Sequence, residues 1–245
     1  MNLEEVIARL AGKTLDSKEN WYSWKINEER LSQKTGIALK NASLFEKNIE
    51  LKESLRHRLE RCDPDLREKL IRYYVADWGG VRSNSTETIR RYSSSSPSLL
   101  ISSGKNGVAS WSKVLCIIDP SKYAIFDARV SIALNSLQFL FSTENKELYP
   151  VLPSRNGLIK QAGTHLKSIA QDEGWEVLEE TVFYNQYLDV LKTVSKGLDD
   201  RIGVIEMVLF AKAVDLANFV IKQVSRPHDG DAIQKKLQLL LAPDK

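Results

Sequence analysis

Apolar residues recur at helical spacing along most of the chain. Leu3, Val6, Ile7 and Leu10 fall at i, i+3, i+4 and i+7, which lines one face of a helix, and Gly12 reads as its stop. Residues 39–59 predict another helix, charged enough to be an exposed one. Pro64 suits a first helical turn, so residues 65–78 predict a third, ended by Gly79 and Gly80. Residues 92–103 are serine-rich around Pro97 and read as a loop leading into a short apolar helix from Ser98. Residues 108–118 are apolar enough to be buried. Asp119 ends that segment, because a residue before proline is pushed out of the α conformation. Val130, Ala133, Leu134 and Leu137 carry helical spacing through residues 127–141. Residues 142–157, with Pro150 and Pro153, are the clearest linker, and three further helices are expected over 158–171, 182–194 and 202–224. Alternating strand patterns and internal repeats are nearly absent.

An all-α protein follows, with an N-terminal helical region over 1–76 and a central region over 77–141. After the linker over 142–157, a C-terminal helical region over 158–245 is expected to pack with the N-terminal part. Length and composition fit: 245 residues with 42% hydrophobic and 27% charged side chains can bury a sizeable core. Residues 202–224 hold Glu206, Lys212, Asp215 and Lys222, so that segment reads as a core helix and not a membrane span. Acidic and basic residues interrupt the first fifteen positions, which excludes a secretory signal there, and two cysteines are too few for a structural zinc site. A reduced, cytoplasmic setting is the expectation. The formal charge is only +3, but residues 61–135 hold 11 basic against 7 acidic side chains. A basic middle is compatible with a polyanion partner and does not require one.

The same middle segment carries the candidate chemistry. A short apolar helix runs into Gly104-Lys105-Asn106-Gly107, and a buried helix starts at once with Val108. Glycine tolerates positive φ and lets another backbone approach, so this turn could present amide N–H groups to a nucleic-acid phosphate, with Lys105 adding a point charge. Asp127 follows Gly107 by twenty residues, at the expected start of the next helix. Each residue also has a plainer reading. Asp127 could be a helix N-cap, Gly104 to Gly107 an ordinary turn, and Trp111 a core residue. Arg129 could form an ion pair with Asp127, and Arg155 could be an exposed loop residue. His57, His165 and His228 share no metal-ligand spacing, and no nucleophile elbow, P-loop or dinucleotide fingerprint occurs.

The stretch from Asp77 to Asn156 resembles the helix-hairpin-helix base-excision DNA glycosylase superfamily, in its 8-oxoguanine-DNA-glycosylase-like branch. The likeness lies in Asp77-Trp-Gly-Gly-Val-Arg82, Ala109-Ser-Trp-Ser-Lys113, Tyr123-Ala-Ile-Phe-Asp127-Ala-Arg-Val130 and Leu152-Pro-Ser-Arg-Asn156. Some bacterial proteins of similar sequence occur in phage-defence loci. The resemblance implies a helix-hairpin-helix facing a second helical layer, with double-stranded DNA held in a cleft between them. It implies that Gly104, Lys105, Asn106, Gly107 and Ser110 grip the DNA backbone, assisted by Arg82 and Arg129. Asp127 would be the active-site acid. The superfamily's Leu-Pro-Gly-Val-Gly hairpin is here Ser-Gly-Lys-Asn-Gly, and its Pro-Val-Asp is Ile-Phe-Asp127. The lyase lysine of bifunctional members falls at Ala109 or Ser110, where no amine exists; Lys113 and Lys105 are the nearest substitutes.

A monofunctional glycosylase is therefore the expected activity, excising a modified base, in preference one of the phage type, and leaving an abasic site. The alternative is a DNA-binding module that has kept the fold without the chemistry. Trp78, Trp111, Lys113, Tyr123, Phe126, Arg155 and Asn156 are the candidate pocket residues for a flipped base. No metal, cofactor, membrane or protein partner is inferred.

Overall fold

The computed structural model describes residues 1–17, 20–198 and 201–225. The fold class is all-α: eleven α-helices and one π-helical turn account for most of the described residues, with a single pair of two-residue strands. The chain divides into two compact units. One is Tyr22–Phe126; the other joins Met1–Trp21 to the described residues from Asp127 onward. His228 and the end of the expected C-terminal region lie outside the described residues.

The discontinuous unit is built on α1 (Leu3–Asp16), α8 (Ala128–Leu140), α9 (Gly157–Asp172), α10 (Phe183–Leu198) and α11 (Ile202–Ser225). Its centre is the packing of α11 on α8 and α9, and α1 lies against α10, α11 and α8. Residues Val204 to Leu209 of α11 are buried on every side, and Ala213, Leu216, Ala217 and Val220 continue the buried surface along the helix; each fully buried Val, Leu or Ile side chain contributes about 1.5–3 kcal/mol. Gly12 does not stop α1, which runs on to Asp16. Thr14 donates its hydroxyl to the Leu10 carbonyl at 2.7 Å and carries the buried face one turn further. No helix among the described residues is long and apolar enough to cross a membrane.

The expected linker belongs to this unit and is strapped to it. Ser131, Asn135 and Gln138 stand on one face of α8. Ser131 donates to the Pro150 carbonyl at 2.6 Å. Asn135 exchanges two 3.0 Å bonds with the Tyr149 backbone, and Gln138 two 2.7 Å bonds with that of Glu147. These side chains satisfy a buried extended segment in the way a neighbouring strand would. On its other edge β1 (Glu147–Leu148) pairs in parallel with β2 (Glu176–Val177).

The continuous unit holds α2 (Glu28–Thr35), α3 (Leu44–Leu59), α4 (Pro64–Arg72), α5 (Thr86–Ser94), α6 (Pro97–Ile101) and α7 (Val108–Ile118), with the π-turn Tyr73–Trp78 between α4 and α5. Helix α7 is buried along most of its length and packs on α3, the π-turn, α5 and α6. Pro64 opens α4 and Gly79 closes the π-turn, as the sequence signals require. Two expectations are corrected, and one helix was not expected. Residues 39–43 stay outside α3, since Ser43 is its N-cap, and the helix buries Leu51 and Leu55 despite its charges. Residues 92–94 are helical, not loop, because Ser85 caps a helix that carries Ile89 and Tyr92 into the core. Helix α2 lacks an apolar stripe of useful length; its ends are set by the Asn27 cap and by Gly36 at φ 65°.

Candidate functional site

In the continuous unit, α6, a six-residue turn and α7 make a helical hairpin. Gly104 and Gly107 both take positive φ, 59° and 71°, the conformation that glycine adopts without strain. The turn is tight: Gly104 N–H donates to the Ile101 carbonyl at 3.0 Å and Asn106 N–H to Ser103 at 3.3 Å. Lys105, Asn106 and Gly107 are exposed and Gly104 is buried. Helices α1 to α6, α8 and α9 each open on a side-chain oxygen that accepts a backbone N–H. Helix α7 opens instead on Gly107, which has no side chain to offer. The amides of Gly107 and Ala109 find no acceptor among the described residues. Such N–H groups at a helix start suit an anion.

Side chains beneath the hairpin fix its shape. Trp111 is fully buried and its indole N–H donates to the Asn106 carbonyl at 3.1 Å, pinning the turn from inside. Ser110 is buried and accepts a 2.8 Å bond from the Asn84 amide, which ties the residue 79–85 segment and exposed Arg82 to α7. Lys113 is 4% exposed, and its ammonium donates to the Ala109 carbonyl one turn back, at 2.7 Å. Its stem occupies the space that a Cβ on Gly79 would need. Phe126 is also fully buried, and its backbone N–H and carbonyl both bond the Ser112 hydroxyl, at 3.0 and 3.3 Å. Trp111 and Phe126 therefore act as internal supports of this unit. Tyr123 is half-buried.

Trp78 sits at the end of the π-turn, a conformation that often marks functional segments. It stacks on Tyr74 with ring centroids 4.2 Å apart and planes 5° from parallel, and Trp24 meets it edge-on at 6.2 Å. Its indole N–H donates to Asn48 at 2.9 Å, and the Asn48 amide in turn holds the Trp24 and Leu44 carbonyls. Arg30 pairs with Asp77 beside this cluster. Burial, helped by Asp77, pushes the Tyr73 hydroxyl up to about 12.

In the discontinuous unit, Asp127 is the N-cap of α8. Its Oδ1 accepts from the amides of Arg129 and Val130, at 2.9 and 3.1 Å. Oδ2 has no hydrogen-bond partner among the described residues, and the side chain is half-buried. Capping and presentation are thus divided between the two oxygens of one carboxylate. Arg129 makes no ion pair with Asp127; its guanidinium lies 4.6 Å from the Phe210 ring centroid, in a cation–π contact. Arg155 is exposed, and Asn156 caps α9 by accepting from the Ile159 amide at 3.1 Å.

The described histidines and cysteines form no cluster. His57 is exposed and lies 3.7 Å from Glu60, and His165 is half-buried on α9. No group of three or more His, Cys, Asp or Glu among the described residues could hold a metal ion. Cys62 and Cys116 form no disulfide. Asn84, Tyr92, Asn135 and Gln138 carry structural weight at these sites without any signal in the sequence motifs. The chain matches no family model, no curated protein and no solved structure.

Proposed function

We propose that this protein is a monofunctional DNA glycosylase, with the α6–α7 hairpin gripping the DNA backbone and Asp127 acting at the sugar of an extruded nucleotide. The observation that carries the reading is the division of labour within Asp127: Oδ1 is fixed by two backbone amides while Oδ2 has no hydrogen-bond partner among the described residues. A capping role alone needs only one oxygen, and Asn would supply it equally well. A carboxylate held rigidly with one oxygen presented is what N-glycosidic cleavage asks for.

In the proposed reaction the bond from C1′ to the base nitrogen breaks and its electron pair leaves with the base, which takes up a proton. Positive charge develops on the deoxyribose, and the Asp127 carboxylate stabilises it. Water then adds its oxygen to C1′ and gives a proton to Oδ2, which returns it to solvent in exchange for the one the base took up, leaving an abasic site. Extruding the base costs about a few kcal/mol, which contacts to the base must repay. A modified base of the phage type is the preferred substrate, on the strength of the branch resemblance. The monofunctional reading is supported by Lys113: its amine is engaged with a helix carbonyl inside the unit, where it is not offered as a nucleophile.

The test is to incubate the protein with duplexes carrying different modified bases and then heat them in alkali. Strand breaks at one modified position support base release. Duplex binding that weakens with salt but yields no abasic site on any substrate would favour a non-catalytic DNA-binding module. Absence of duplex binding would remove the nucleic-acid reading altogether.

A further inference from the structure

The start of α7 is not the whole of the anion site. Tyr92, on α5, has its ring sunk in the continuous unit, with 3% of the residue exposed. Its hydroxyl makes no hydrogen bond among the described residues, and although the ring is buried the oxygen itself is not sealed from solvent. The oxygen is aimed at the hairpin: a Cβ built on Gly107 would run directly into it. Gly107 is itself exposed, so the space beside the hydroxyl opens to solvent at that glycine. The Arg91 guanidinium lies 5.4 Å from the Tyr92 ring centroid and adds positive charge on the α5 side.

The Tyr92 hydroxyl thus lies beside Gly107, at the helix start where the amides of Gly107 and Ala109 are also without an acceptor among the described residues. A metal ion would need acceptors, and an apolar ligand would leave all three donors unmet. A phosphate oxygen satisfies them. We infer that Tyr92 is a phosphodiester ligand, donating its hydroxyl to the same backbone phosphate that the Gly107 and Ala109 amides bind. This inference rests on the DNA-backbone role proposed for the hairpin and gives that role a side chain that the sequence motifs do not contain. Glycine is required at 107 on two grounds, its positive φ and the room it leaves for this hydroxyl.

The test compares the parent with Tyr92→Phe, which keeps the ring and removes only the donor. Duplex affinity is followed by fluorescence anisotropy over a salt series, and amide shifts of Gly107 and Ala109 by NMR as dimethyl phosphate is added. Loss of one hydrogen bond should weaken duplex binding about 3- to 10-fold. The slope of log K against log salt should not change, since no cation is lost. Dimethyl phosphate should move both amides in the parent, and less so in Tyr92→Phe.

Equal duplex affinity and equal amide responses in the two proteins would remove Tyr92 from the site while leaving the hairpin reading intact. Silent amides in the parent would overturn the inference outright. If the amides respond and Tyr92→Phe blunts them, but no duplex binds, the phosphodiester site stands and the DNA reading fails.

Discussion

The Lys113 side chain runs through the space beside the Cα of Gly79. A Cβ at position 79 would lie 2.6 Å from the lysine Cε and 2.8 Å from the Val75 carbonyl oxygen. The first neighbour can bend away; the second is backbone of the π-turn and cannot. Gly79→Ala is therefore expected to cost about 1–3 kcal/mol of stability by overpacking, measured by urea unfolding. Introducing it in a Lys113→Ala background should recover only part of that loss, because the carbonyl contact persists. Full recovery would show that the lysine alone dictates glycine at 79.

Gly107→Ala combines a left-handed backbone with a blocked Cβ position. The backbone term is about 1–2 kcal/mol, and the contact with the Tyr92 hydroxyl adds to it. Tyr92→Phe should relieve the second term and leave the first. A double-mutant cycle on unfolding free energy should thus show positive coupling between the two positions. Strict additivity would mean that the hydroxyl does not press on Gly107.

Asp127 separates structure from chemistry in a way that substitution can read. Asn retains an acceptor for the Arg129 and Val130 amides, so Asp127→Asn should stay within about 0.5 kcal/mol of the parent, whereas Asp127→Ala should lose about 1 kcal/mol with the cap. Both should abolish base release.

Glu147 gives an acid-range signature opposite to that of the paired carboxylates. Burial, then repulsion from Glu176 and Glu4, raises its carboxyl above the ordinary value of 4.5. A raised folded-state value means that its contribution is fully present below about pH 4.5 and is lost as pH rises through the higher folded-state value. Glu147→Gln should therefore be more stable than the parent at neutral pH, with the difference vanishing in acid. Glu144 and Glu173 behave the other way, held down by the N-terminal ammonium and by Lys146, so their contribution fades as pH falls. A Glu147→Gln stability difference that does not vary with pH would contradict the assignment.

The helices that bury one stripe were legible from spacing. Leu3, Val6, Ile7 and Leu10 needed no other information, and α11 was legible from its apolar composition. The pieces that were not legible depend on contacts distant in sequence. Helix α1 passes through Gly12 because tertiary burial outweighs the roughly 1 kcal/mol that a glycine costs in a helix. The linker joins a unit because Asn135 and Gln138 offer amides to its backbone, and polar residues on a helix do not announce what they will bind. At the candidate site, positive φ at Gly104 and Gly107 and the cap role of Asp127 could be read from residue type and order. The Tyr92 hydroxyl could not, since fifteen residues separate it from the glycine it faces.

Lys113 and Lys105 bear on the reaction subclass. With the Lys113 amine engaged inside the unit, borohydride treatment during turnover should trap no covalent protein–DNA adduct. An adduct lost in Lys113→Ala or Lys105→Ala would replace the proposed monofunctional reaction with a lyase.

The role proposed for Asp127 is decided by single-turnover base release, comparing the parent with Asp127→Asn at matched occupancy of a duplex that the parent processes. Equal duplex affinity is expected, with abasic sites formed by the parent and none by Asp127→Asn. Equal release by both proteins would contradict that role.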